Sequence, residues 1–322
     1  MPATPARKAP RVLVIERFAT DYERHIRQAF PHVDVVIAHD ARHVPVPLHT
    51  VDVLVAFGIA INDDLMRGMG NLAWIQSLAT GVDHFLKSPH LSPGTLLTSA
   101  RGIHGAPMRE TVALLMLGVT RDVHRLVRHQ QNRIWERGEP WPLLAGKSAL
   151  VLGSGVSGSA IGNLLKAFGM TTIVATRSPR AIDGFDRVVH FDDIAAATAE
   201  VDFLIDVLPG GPEYAGLVSR AVIAAMKPSA IFINVGRGET VDEPAMIEAL
   251  QSGRIAGAGL DVVARTPLSQ DSPLWSLPNV LVSPHIGGYF REYEAHMMPI
   301  LIENMRLYLA GQGSRMRNLI PH

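Results

Sequence analysis

The sequence predicts an α/β chain built as two doubly wound parallel sheets, and three observations carry that prediction. Short apolar runs of strand length alternate with helical patterns along most of the chain, the arrangement of parallel sheets covered by helices. A G-x-G-x-x-G stands between one such run and the helical pattern that follows it. The length, 322 residues, suits two domains that each bury a core of their own.

Residues 1–10, MPATPARKAP, have neither the apolar stretch nor the cleavage site of a secretory signal and read as a frayed leader. From Arg11 onward, RVLVIE, VDVVIAH, VDVLVAFG, AWIQSL and TLLTS are strand-length runs, with helical patterns at Asp21–Phe30 and Asn62–Met69 between them. Their alternation predicts a parallel sheet in the flavodoxin style. The turn Ala79-Thr80-Gly81-Val82-Asp83 follows the fourth run. It is either a structural turn or a set of backbone N–H groups able to hold an anion at the carboxyl end of that sheet. One long helical pattern then runs from Gly105 to about Gln131, with the wide apolar face of a helix buried between domains or subunits. Trp135 and Trp141 follow in a loop, where aromatic side chains often anchor an interface. Gly146-Lys147-Ser148 is no P-loop: Trp141 stands where the leading glycine belongs, and the triplet precedes a strand.

Ser148–Arg180 is the stretch around which the rest is arranged. SALVLGSG reads as strand, SGSAIGNLLKAFG as helix and MTTIVATR as a second strand, with Gly153-Ser154-Gly155-Val156-Ser157-Gly158 at the first turn. Gly153 permits the tight turn, Gly155 lets backbone approach a pyrophosphate, and Gly158 allows close helix–strand packing. The N–H groups and positive dipole end of the helix, at Val156 and Ser157, then face phosphate. The competing reading is an ordinary glycine-rich turn, but its place inside a βαβ unit favours a Rossmann dinucleotide site. At the end of the second strand, an acid would bond the ribose hydroxyls of NAD. This chain has Thr176-Arg177-Ser178-Pro179-Arg180 there, with no carboxylate before Asp183. Two guanidiniums and hydroxyls suit a 2′-phosphate. NADP(H) is therefore expected over NAD(H), unless these arginines merely form a solvated loop.

Beyond the fingerprint, strands are expected at RVVHF, DFLIDVL, AIFINV, AGAGLDVV and NVLVS, with helices near Ser219–Met226 and Glu243–Ser252. The nucleotide-binding domain is thus placed at residues 105–287. The final helical pattern, Arg291–Leu309, should return to the first domain, making the substrate domain discontinuous: residues 1–104 and 288–322. Three polar side chains fall just past strands of the nucleotide domain: Arg237 in Asn234-Val235-Gly236-Arg237-Gly238, Asp261 in GLDVV, and His285 in Ser283-Pro284-His285-Ile286-Gly287-Gly288. In an open α/β sheet the ligand crevice lies outside the carboxyl ends of the strands, where these groups can converge. A hydride-carrying dinucleotide requires a polarised carbonyl, a proton donor and an anchor. Arg237 offers a permanent cation with a fork matching a carboxylate or carbonyl oxygen. His285 can protonate a nascent alkoxide near neutral pH. Taken singly, an arginine after a strand is more often an ion pair and a Pro-His dipeptide more often a turn. Their shared placement beside the fingerprint is what selects the chemical reading.

Composition excludes other classes. Thirty basic and thirty acidic residues cancel, so no broad attraction to nucleic acid or membrane is expected. Without cysteine, there is no disulfide, thiolate metal site or cysteine nucleophile. No apolar run approaches the ~20 residues of a membrane span. The 14 histidines show no metal-binding spacing, so those other than His285 are taken as structural or solvated. A soluble, cytoplasmic protein is the expectation.

ATGVDH, GSGVSG, VLPGGPE, INVGRGETVDE, IAGAGLDVV and SPHIGG occur in this order along nearly the whole chain. In these motifs and their spacing the chain resembles the D-isomer-specific 2-hydroxyacid dehydrogenases, in particular the glyoxylate/hydroxypyruvate reductase type. The resemblance implies a discontinuous substrate domain, a cleft active site and a homodimer formed through the nucleotide domains. It implies that Arg237 binds the carboxylate and carbonyl of a small 2-oxo acid, that backbone at Thr80, Gly81 and Val82 holds the carboxylate, and that His285 is the acid/base. Pro209, Val235 with Gly236, Asp261 and Gly287 would line the nicotinamide side. Ser157, Thr176, Arg177, Ser178 and Arg180 would surround the phosphates and adenosine ribose. Trp141 resembles loop tryptophans that some members insert into the neighbouring subunit's active site.

The chain departs from the family at one position. Family members end the segment after LDV in Glu-Pro-Leu, and that Glu pairs with the catalytic histidine; here Thr266-Pro267-Leu268 stands instead. A threonine can hydrogen-bond an imidazole but cannot stabilise its cation by charge. The difference is on the order of 1–3 kcal/mol, which predicts a lower His285 pKa, slower turnover and reduction favoured at lower pH. The departure also supports a second reading, a weakly catalytic dinucleotide-binding sensor or partner protein resembling the C-terminal-binding corepressors. Retention of Arg237, His285 and ATGVD favours the NADP-dependent reductase that makes D-2-hydroxy acids.

Overall fold

A computed structural model describes residues 9–178 and 180–322. Most of the leader read from the sequence, and Pro179 of the arginine-bearing turn, lie outside them. The chain divides into two compact units, Met1–Ile103 with Arg291–His322, and His104–Phe290. The divisions fall one residue before and three residues after those expected at 104/105 and 287/288.

The first unit carries a five-stranded parallel sheet in the order β2-β1-β3-β4-β5, the flavodoxin-like order. Its strands are β1 (Arg11–Ile15), β2 (Asp34–Ala38), β3 (Val53–Ala56), β4 (Trp74–Ser77) and β5 (Leu96–Thr98). Helices α1 (Ala19–Ala29), α2 (Asp63–Gly68) and α3 (Asp83–Leu86) fall between them, and α10 (Tyr293–Leu309) returns to this unit from the end of the chain. The central strands are buried on both faces: β3 and β4 are buried at every position, as expected where helices cover a parallel sheet. Asn62, read as the first residue of a helix, is instead the cap of α2, its side chain accepting from Leu65 N at 2.8 Å. A buried polar chain ties α10 to the sheet. Trp74 Nε1 donates to Thr98 Oγ1 at 2.9 Å, Thr98 donates to Gln76 Oε1 at 2.8 Å, and Asn304 Nδ2 donates to the same Oε1 at 3.0 Å.

The second unit carries seven parallel strands in the order β12-β11-β10-β9-β6-β7-β8. They are β6 (Ser148–Leu152), β7 (Thr171–Thr176), β8 (Arg187–His190), β9 (Phe203–Asp206), β10 (Ile231–Asn234), β11 (Gly257–Leu260) and β12 (Val280–Val282). Helices α4 (Gly105–Thr120), α5 (Val123–Gln131), α6 (Val156–Ala167), α7 (Ile194–Glu200), α8 (Arg220–Ala225) and α9 (Glu243–Gln251) cover the faces. The single helix expected from Gly105 to Gln131 is thus two. Asp122 adopts a left-handed conformation (φ 46°) and caps α5 by accepting from Arg125 N at 3.1 Å. An apolar periodicity that runs on through the break does not register it. Among the described residues, no helix is long and apolar enough to cross a membrane.

Order reverses between β6 and β9, the switch point at which doubly wound sheets bind ligands. The register places Leu152, Asp206, Asn234, Leu260 and Val282 on one line across five strands. Gly155, Arg237 and His285 each lie three residues past that line, on the loops after β6, β10 and β12. The sheet's register alone therefore brings the three loops to one edge.

Candidate active site

The nucleotide cradle is built by close approach of backbone. Gly153 has φ 107°, and a Cβ on Gly158 would lie 2.0 Å from the Gly153 carbonyl oxygen, so neither position accepts a larger residue. A Cβ on Gly155 would meet nothing within 4 Å, leaving that backbone open to a ligand. Gly155 is also the N-cap of α6 and supplies no side-chain acceptor, so the N–H groups beginning at Val156 and Ser157 are available to an anion. The cradle fits a pyrophosphate. At the end of β7, Arg177 lies over the ring of Tyr214, 5.5 Å from its centroid, and Thr176 Oγ1 accepts a long 3.5 Å bond from Ser178 N. Arg177, Ser178 and Arg180 are exposed, and no carboxylate intervenes between Thr176 and Arg180.

Arg237 is carried on a loop whose backbone is anchored from inside the sheet. Asn234 Oδ1 accepts from Gly236 N at 3.0 Å, and Asn234 Nδ2 donates to the Arg237 carbonyl at 3.1 Å. Thr240 Oγ1 reaches the same carbonyl at 2.6 Å. Arg237 itself is half-buried and donates from Nη1 to the Gly236 carbonyl at 2.8 Å. A Cβ on Gly238 would fall 2.0 Å from the backbone of Val263, so this loop presses directly on the segment that follows β11. Pro209, on the loop after β9, is exposed, and Val235 is buried.

His285 is held by Asp261. The Asp261 carboxylate is buried, and it accepts from Ser283 Oγ at 2.6 Å, Ile286 N at 3.1 Å and Gly287 N at 2.9 Å. Its carbonyl accepts from His285 N at 2.9 Å. The sequence places Asp261 on the nicotinamide side; in the structure its oxygens turn to the histidine loop. His285 sits at φ 56°, a left-handed conformation uncommon outside glycine and of the kind found at functional sites. Partial desolvation lowers its pKa below 6.5, the Arg237 guanidinium lowers it further, and Asp261 opposes both. Arg237 and His285 thus leave the same edge of the sheet, each three residues past the register line.

Thr266 is exposed, and among the described residues no hydrogen bond joins it to His285. Upstream, Ala264 N donates to Glu243 Oε2 at 2.7 Å and ties the segment to the start of α9. Another histidine, passed over in the sequence, sits beside the site. His104, the N-cap of α4, packs its ring against Gly288, where a Cβ would meet Cδ2 at 3.2 Å. Burial and then the Arg237 charge push its pKa down to about 4. The one sequence signal was its position in a strand-to-helix loop. In the first unit, Thr80, Gly81 and Val82 follow β4 at the carboxyl end of that sheet and lead into α3.

A family model, D-isomer specific 2-hydroxyacid dehydrogenase, NAD binding domain, matches residues 113–287. The chain belongs to the D-isomer-specific 2-hydroxyacid dehydrogenase family. It is an NAD(P)-dependent dehydrogenase of that family, with the two parallel-sheet domains expected of it. It is 32% identical to glyoxylate/hydroxypyruvate reductase B of Pectobacterium atrosepticum over 308 residues, covering 94% of this chain and 96% of that one. A family protein from Aeromonas salmonicida has a similar structure, with TM-score 0.87 and 30% identity over 97% of this chain and 98% of that one. The NADPH-dependent glyoxylate/hydroxypyruvate reductase of Sinorhizobium meliloti, solved with NADP and sulfate, gives TM-score 0.82 and 27% identity over 97% and 98%.

Proposed function

We propose that this dehydrogenase reduces a small 2-oxo acid of the glyoxylate or hydroxypyruvate type to a D-2-hydroxy acid, using NADPH. The observation that carries the reading is the register that sets the Gly153–Gly158 cradle, Arg237 and His285 on loops leaving one line across the sheet. The resemblance to reductases named for these substrates supports the substrate class.

When bound, the nicotinamide supplies hydride to the carbonyl carbon. The remaining work falls to the chain. Arg237 binds the substrate carboxylate and carbonyl oxygen through its fork, and its fixed charge stabilises the oxyanion as it forms. His285 gives its proton to that oxygen. Its lowered pKa makes it a ready acid when protonated, and it is protonated in a smaller fraction at neutral pH. Reduction is accordingly faster on the acidic side of neutrality. Arg177 and Arg180, with no acid between Thr176 and Asp183 to bond a free ribose hydroxyl, favour a 2′-phosphate.

Consumption of NADPH and NADH, measured against glyoxylate, hydroxypyruvate and pyruvate, tests the proposal. Turnover with a preference for NADPH is expected. Tight NADPH binding without turnover of any acid would assign the chain to the sensor or partner class instead.

A further inference from the structure

Asp206 is a fully buried carboxyl group with no part in the reaction above. It ends β9 at the switch point, level with Leu152 of β6 and Asn234 of β10. Oδ1 accepts from Leu208 N at 2.9 Å, fixing the start of the loop that carries Pro209. Oδ2 meets the Thr240 hydroxyl, and that hydroxyl also lies 2.6 Å from the Arg237 carbonyl oxygen. An inventory of protons decides what this contact is. A threonine hydroxyl has a single proton, and a carboxylate and a carbonyl are both acceptors only. With Asp206 ionised, the Thr240 hydroxyl can serve either Asp206 Oδ2 or the Arg237 carbonyl but not both, and when it serves the carboxylate the carbonyl keeps only the longer bonds from Asn234 Nδ2 and Thr240 N. With Asp206 protonated, it donates to Thr240 Oγ1, Thr240 donates to the Arg237 carbonyl, and every buried group is paired.

We propose that Asp206 is a positioning residue for Arg237, acting as a carboxylic acid through the Thr240 hydroxyl to hold the arginine-bearing loop. The inference rests on the reading of Arg237 as the substrate anchor. Among the described residues, no charged side chain bonds Asp206. Beside it β6 and β10 present Leu152 and Asn234, and the loop after β9 presents the Leu208 amide. The loop after β10 carries Arg237 and Glu239, and β11 leads to Asp261. Arg237 Nη1 turns to the Gly236 carbonyl, Glu239 Oε1 accepts from Gly211 N, and Asp261 is engaged by the histidine loop. Burial pushes the Asp206 carboxyl up to about 6, against the lowering effect of the Thr240 and Leu208 bonds. Below that pH the chain of donors reaches the Arg237 carbonyl. Above it, the Thr240 hydroxyl turns to the carboxylate, and the carbonyl loses its shortest donor while keeping Asn234 Nδ2 at 3.1 Å and Thr240 N at 3.4 Å.

The test is Asp206→Asn, whose amide can donate to Thr240 at every pH. One readout needs no activity. In urea unfolding of the cofactor-free chain, wild type should lose stability relative to Asp206→Asn as pH rises from 3.8 towards about 6, because there the folded chain binds more protons than the unfolded one. Parallel stability curves would show that Asp206 is ionised throughout and overturn the proposal. The second readout is KM for glyoxylate at saturating NADPH. It should rise about threefold to tenfold in wild type between about pH 5.5 and 7.5, the worth of one hydrogen bond, and stay flat in Asp206→Asn. Should that variant not fold, Thr240→Val must raise KM at the acidic end while Thr240→Ser restores it; equal KM values in both would refute the link. Absence of wild-type turnover with any oxo acid would instead sink the substrate reading, while the unfolding comparison still decides the protonation of Asp206.

Discussion

The Asp261 carbonyl oxygen accepts the His285 backbone N–H at 2.9 Å, while the Asp261 carboxylate accepts the amides of the next two residues at 3.1 and 2.9 Å. One buried residue just past β11 thus fixes both the position and the left-handed backbone of His285 on the neighbouring loop. Asp261→Ala leaves three donors without their acceptor. It should cost about 3 kcal/mol in urea unfolding and lower kcat more than it raises KM for NADPH. Wild-type stability in that variant would show that the loop holds itself.

The titration of His285 follows from its neighbours. Desolvation and the Arg237 charge hold its pKa below 6.5. Its ring resonances, followed by NMR in the cofactor-free chain, should therefore shift with a midpoint under that value. Arg237→Ala should move the midpoint upward by removing the like charge. No movement would mean that the guanidinium and imidazole do not share a field. If His285 is the proton donor, as proposed, the reduction rate should fall as pH rises through the same pKa.

Thr266 is exposed and makes no hydrogen bond to His285, so Thr266→Ala should change kcat by less than about twofold, as surface substitutions without partners do. A loss approaching tenfold would reinstate the hydroxyl as the histidine's partner. Thr266→Glu introduces a carboxylate in the same segment and should move the pH–rate profile upward if the side chain reaches the imidazole.

What could be read from the sequence divides along physical lines. The fingerprint was legible because its three glycines act over six residues, and a Cβ 2.0 Å from a carbonyl leaves Gly158 no alternative. Arg237 and His285 were legible as groups just past apolar strands, since a parallel sheet aligns strand ends whatever its details. The break at Asp122 was not, because it depends on one residue's backbone conformation inside a continuing apolar pattern. Nor were the partners of Asp206 and Asp261, which join residues 34 and 22 positions apart through sheet register. His104 was passed over for the same reason: only folding brings its ring against Gly288.

Cofactor choice has its own test. Arg177, set over Tyr214, is the residue proposed to take a 2′-phosphate. Arg177→Ala should raise KM for NADPH about tenfold to a hundredfold, the worth of a charge-assisted bond, and leave KM for NADH within about twofold of wild type. Equal losses with both cofactors would place Arg177 elsewhere than at the 2′-phosphate.

The most direct measurement is kcat/KM for glyoxylate with NADPH in wild type and Arg237→Ala, alongside NADPH affinity in each. The anchor and oxyanion roles together predict a loss of about a thousandfold or more in kcat/KM, with NADPH binding nearly unchanged. Turnover by Arg237→Ala within a few-fold of wild type would contradict the account.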